Sequence, residues 1–117
     1  MGVSMRIFTV YGVKHAGFFE KLSEAMEKYY DSKNRFPTPH IIMDGMDGEY
    51  TILGPILYNS GDERWGWEGG DEFKEIPLDQ LDVLWLEYKK EFVAKYPEFS
   101  KFVTDFVPRL ITFKHYS

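Results

Sequence analysis

The chain has 117 residues, 44% hydrophobic and 18% aromatic, and a formal net charge of -5. That length suits one domain with its own core, and the negative charge disfavours nonspecific attraction to nucleic acid or anionic membrane. With no cysteine, disulfides, thiolate zinc sites and a cysteine nucleophile are excluded and a cytoplasmic setting is expected; no apolar run reaches the roughly 18–20 residues that cross a bilayer.

Residues 1–4 precede the first patterned segment and are expected to fray. Met5–Val13 (MRIFTVYGV) alternates β-branched and aromatic residues at period two, apolar on both sides, which predicts a central strand. Gly12–Gly17 (GVKHAG) reads as a connection. Phe18–Lys33 places Phe18, Leu22, Ala25, Met26 and Tyr29 on one stripe and predicts an amphipathic helix, ended before Pro37 and Pro39. His40–Met43 is a short apolar strand, followed by the turn dipeptides Asp44-Gly45 and Asp47-Gly48.

Glu49–Tyr58 (EYTILGPILY) is a strand interrupted at Gly54-Pro55, where proline implies an edge or a bulge. Arg64–Glu68 and Glu72–Ile76, about Gly69-Gly70, would complete a β-meander. Asp79, with Asp82 at capping-box spacing, reads as the N-cap of a second helix. Its apolar stripe is Leu81, Leu84, Trp85, Tyr88, Phe92 and Tyr96. Pro97 breaks that helix, Phe99–Val107 continues as a third, and Leu110–Phe113 is a last strand.

The order β-α-β-β-β-β-α-α-β predicts an α+β fold. We expect a single domain over residues 1–117, with a mostly antiparallel sheet of four to five strands and about three helices packed on one face.

The charge is unevenly distributed. Residues 44–82 hold eleven Asp/Glu against Arg64 and Lys74, a net of -9, whereas residues 1–43 and 83–117 are each +2. The same middle third holds Trp65, Trp67, Tyr50, Tyr58 and Phe73. If Arg64–Glu68 is extended, Trp65 and Trp67 share a face, where they either cap the core or anchor a partner. Asp62, Glu63, Glu68, Asp71 and Glu72 crowd the same hairpin, either as a solvated surface or as a patch complementary to a basic protein.

The leading expectation is therefore a small acidic non-catalytic binding protein, an inhibitor or adaptor comparable in composition with phage-type anti-host factors. Its binding set would be Asp62, Glu63, Arg64, Trp65, Trp67, Glu68, Asp71 and Glu72, with no cofactor and no metal. One alternative is a nucleotide or small-anion binder. Its base would stack on Trp65 or Trp67, and its phosphate would meet Arg64 or the Lys14, His15 and Gly17 connection at a helix start. Phe18-Phe19 stands where a P-loop needs Lys and Ser/Thr.

The other alternative is a hydrolase or lyase in which His40 and His115 meet Asp44 or Asp47. Asp44, Asp47 and Glu49 lack the EF-hand spacing, so a solvated turn is the simpler reading of all three. The Gly54-Pro55 strand, if an edge, offers a route to a homodimer.

Overall fold

A computed structural model describes residues 4–28, 38–61 and 70–116. The elements are β1 (Met5–Ala16), α1 (Glu20–Glu27), β2 (Ile41–Met43), β3 (Tyr50–Leu53), β4 (Ile56–Asn59), α2 (Leu78–Lys95), a 3₁₀ turn (Pro97–Phe99), α3 (Lys101–Thr104) and β5 (Arg109–Tyr116). The α+β class and the antiparallel sheet are as expected. Among the described residues no helix is long and apolar enough to cross a membrane.

Among the described residues every pairing is antiparallel. β5 runs along one edge of β1, from Met5↔Tyr116 to Gly12↔Arg109. Along the other edge β4 pairs with the first half of β1 (Phe8↔Asn59) and β3 with the second (Val13↔Leu53 to Ala16↔Tyr50). β2 lies outside β3, from Ile41↔Leu53 to Met43↔Thr51. β3 and β4 are thus one strand interrupted at Gly54-Pro55, with the register shifting between Thr9 and Val10. The proline marks a bulge; β3 is covered by β1 and β2, whereas β4 pairs only with β1 among the described residues and so lies at an edge of the sheet, as proline implies.

The interruption bends the sheet. Tyr50 lies opposite Ala16 and His115 opposite Arg6. These β1 residues would be about 33 Å apart in a straight strand, yet Tyr50 Oη is 2.7 Å from His115 Nδ1. β1 must therefore curl until its two halves face each other. Two glycines permit it: a Cβ on Gly12 would stand 2.0 Å from the Leu53 carbonyl oxygen, and one on Gly54 2.6 Å from that of Tyr11.

The curl divides the core in two. On its concave side Phe8, Val10, Ile42 and Ile52 are buried, bordered by Tyr50, Ile56, Ile111 and Phe113. Their neighbours of opposite parity, Val13 and Leu53, point to the convex side and pack under the helices against Leu22, Trp85, Tyr88, Phe92, Tyr96 and Val103. The α2 stripe is as the spacing predicts; Phe92 is fully buried, and truncating it to alanine would cost about 3–5 kcal/mol.

Five local expectations need correction. Lys14–Ala16 are strand rather than connection, because β3 supplies them with a ladder partner. Glu72–Ile76 are not a strand: Glu72 to Glu75 are all exposed, and among the described residues no strand pairs with them. The N-cap of α2 is Pro77, with no side-chain cap, and Asp79 instead sits in the first turn, where its charge suits the helix dipole. Phe18 precedes α1 and is 44% exposed rather than part of its stripe. Ser4, expected to fray, is buried.

Candidate functional site

The acidic middle third begins at the turn after β2. The Asp44 carboxylate accepts backbone N–H bonds from Met46 (3.1 Å), Asp47 (3.0 Å) and Glu49 (3.1 Å). The Asp44 N–H in turn donates to the Tyr50 carbonyl at 2.9 Å. Those amides, foremost of Asp47 and Glu49, hold its carboxyl below the usual carboxylate range. Asp44 thus organises the turn, and its oxygens are committed to it, while Asp47 and Glu49 point to solvent. Among the described residues no three His, Asp or Glu side chains are grouped to hold a metal.

Beside this turn lies a cleft of about 290 Å³ lined by Asp44, Asp47, Glu49, Tyr50, Lys114 and Tyr116, among others. Half-buried His115 packs its ring against Phe8 (5.9 Å) and Tyr50 (6.0 Å). Burial pushes its pKa down, Asp44 opposes that shift, and Arg6 adds to it. Burial first, then Asp44 and Glu49, pushes the Tyr50 hydroxyl up to about 12. Both groups are therefore neutral near pH 7, joined by a hydrogen bond that latches the end of β5 to the start of β3. The structure brings His115 within electrostatic reach of Asp44, with His115 Nδ1 bonded to Tyr50 and both Asp44 oxygens bonded to the turn.

His40 does not join them. Its carbonyl accepts the Tyr88 hydroxyl. Its half-buried imidazole feels Glu91 of α2, whose pull on the proton is outweighed by burial, so its pKa is lowered. His15 is also separate: its Nε2 is 2.9 Å from the Phe102 carbonyl oxygen, amid the rings of Phe19, Phe102 and Phe106. Lys14 points to the other face of β1. The Gly17 N–H donates to the Glu49 carbonyl at 3.0 Å, and its own carbonyl accepts the Thr51 hydroxyl at 2.7 Å. Lys14, His15 and Gly17 thus do not converge on an anion.

Of the expected partner-binding set, Asp62, Glu63, Arg64, Trp65, Trp67 and Glu68 lie outside the described residues. Asp71 accepts the Asn59 N–H on Oδ2 (3.1 Å) and returns its own N–H to the Asn59 carbonyl (2.7 Å), which braces the end of β4. Its ion pair with Lys74, at 3.8 Å and half exposed, adds little stability. Glu72 is exposed.

Glu72 also borders an apolar cleft. This cleft, of about 420 Å³, lies between the outer side of β4 and β5 and the segment leading into α2. Leu57, Ile76 and Leu81 form its interior, while Phe73, Leu78 and Leu110 stand at its edge, exposed by 75%, 80% and 57%. Leu110 is hidden in the sequence because it reads as the first residue of the last strand, and Leu78 because it falls between Pro77 and the expected N-cap Asp79, outside any patterned element. A leucine directly after Pro77, at the first position of α2, is the signal that could have flagged Leu78. Comparison of the chain with family models, with curated proteins and with solved structures found no match.

Proposed function

We propose that the chain is a non-catalytic protein-binding domain, an inhibitor or adaptor that presents its acidic, aromatic middle third to a basic surface of another protein. The observation that carries this reading is the cleft edged by Phe73, Leu78 and Leu110. Large apolar side chains that stay mostly in water, clustered around a groove, mark interaction surfaces more often than they mark incidental exposure. A phenylalanine at the edge of a pocket suits an interface anchor. Glu72, Glu75 and Asp79, all exposed along the same segment, supply a negative rim that would speed encounter with a Lys- and Arg-bearing partner and orient it. A cytoplasmic setting accords with the absence of cysteine.

A random-peptide display selection on the wild-type protein tests this. Enriched peptides should carry an apolar anchor flanked by Lys or Arg. They should lose binding to the Phe73→Asp and Leu78→Asp variants, whose melting temperatures should stay near wild type because both residues are exposed. Peptides bound equally by wild type and both variants would move the site elsewhere.

A further inference from the structure

The long helix α2 is apolar on two sides. Its inner stripe is consumed by the core, but Val83 and Leu86 point away from it, 46% and 51% exposed. With Lys90 and Val93 they recur at spacings of three, four and three, the a/d pattern of a helix–helix seam. Leu86, Lys90 and Val93 of this stripe line an open groove of about 500 Å³, together with Lys89, Ala94 and Thr104. Lys89 and Lys90 both line it, and long lysine side chains can cover apolar surface with their stems.

The charges along this face are ordered. At 100° per residue, Asp79 and Asp82 flank its N-terminal end and Lys89 and Lys90 its C-terminal end, with Val83 and Leu86 between them. We propose that a second copy of this chain docks here, its α2 antiparallel to the first about a two-fold axis at Leu86. In that register a residue n positions before Leu86 meets the one n positions after it. Leu86 then meets Leu86, Asp82 meets Lys90, and Val83 lies along the stem of Lys89. A parallel pairing would set Asp82 on Asp82 and Lys90 on Lys90, so the charge pattern selects the antiparallel one. The contact is isologous and closes at two copies.

The carboxylate of Asp82 accepts the Tyr11 hydroxyl through Oδ1 at 3.3 Å, leaving its second oxygen for the partner. Lys89 lies over the Trp85 ring at 6.0 Å, which leaves Lys90 as the pairing cation. A few helical turns bury less than the standard 1,200–2,000 Å² interface, so the dimer is a weak, concentration-dependent one.

Sedimentation velocity from micromolar to millimolar protein tests the proposal. Wild type should pass from monomer to dimer across that range, and Leu86→Glu should remain monomeric with an unchanged circular dichroism spectrum. Asp82→Lys and Lys90→Glu should each weaken dimerisation roughly tenfold, since each sets two like-charged pairs across the axis. The double variant Asp82→Lys/Lys90→Glu should restore it. A wild type that stays monomeric at every concentration overturns the proposal and leaves the groove to a different protein. So does a dimer that survives Leu86→Glu, and failure of the double variant to recover overturns the antiparallel register.

Discussion

Replacing Tyr50 by phenylalanine keeps the ring that packs edge-on to Phe113 at 5.7 Å and removes only the oxygen 2.7 Å from His115 Nδ1. Both partners are half-buried and neutral, so the bond is an ordinary one, with a net contribution of about 1 kcal/mol. Unfolding entropy of about 2.1 cal/mol/K per residue converts that loss into a fall in Tm of about 4 °C for this chain. The bond joins residues 65 apart in sequence and closes the curl of the sheet. Tyr50→Phe should therefore also loosen β5, seen as faster amide exchange along Arg109–Tyr116 with little change in α2. Urea unfolding of Tyr50→Phe, His115→Phe and the double variant gives the coupling between the two side chains. A coupling below about 0.3 kcal/mol, within the usual additivity error, would refute the latch, because the hydroxyl and the imidazole would then be stabilised independently by water.

Two further outcomes follow from the same frame. His115 and His40 both have folded-state pKa values below the ordinary 6.5, chiefly through burial, so the unfolded chain takes up protons first as pH falls. Stability should be intact above about pH 6.5 and decline below it; His115→Gln and His40→Gln should each flatten that slope in a series of urea midpoints, and an unchanged slope in both would contradict the assigned burial. Gly12→Ala would drive a methyl into the Leu53 carbonyl and should destabilise by about 3 kcal/mol, whereas Gly45→Ala, with nothing within 4 Å of the added carbon, should fall within about 0.5 kcal/mol of wild type by urea unfolding.

The residues that reveal the fold in the sequence are those whose environment is set locally. Met5–Val13 alternates because Phe8 and Val10 are buried on one side of β1 while Ile7, Thr9 and Tyr11 on the other are only partly covered, and Leu81 to Tyr96 recurs at helical spacing because one side of α2 meets the sheet. The curl was hidden, since it depends on Gly12 and Gly54 meeting across 42 positions, and each alone reads as punctuation. The same punctuation concealed Lys14–Ala16, whose strand identity comes from β3. Phe73 and Ile76 belong to a segment that reads as a strand, but with no partner strand among the described residues Phe73 is left in solvent and Ile76 lines the cleft. Asp44 and His115 could be paired from their positions at strand ends. That the pair is occupied by three amides and a tyrosine is visible only in the folded chain.

The two proposed surfaces share one helix, and their geometry bears on what the protein could do with both. Leu78, at the edge of the Phe73 cleft, is eight residues before Leu86, or about 12 Å along the axis of α2. An antiparallel pair centred on Leu86 would therefore place two copies of the cleft at opposite ends of the joint helix pair, about 24 Å apart. Two identical sites at a fixed separation favour a partner that repeats its own basic epitope, as an oligomer or a filament does, because the second contact is then intramolecular. The modest interface on α2 is consistent with that use: a dimer weak in isolation would be strengthened by any partner that binds both clefts at once, since the same linkage acts in both directions.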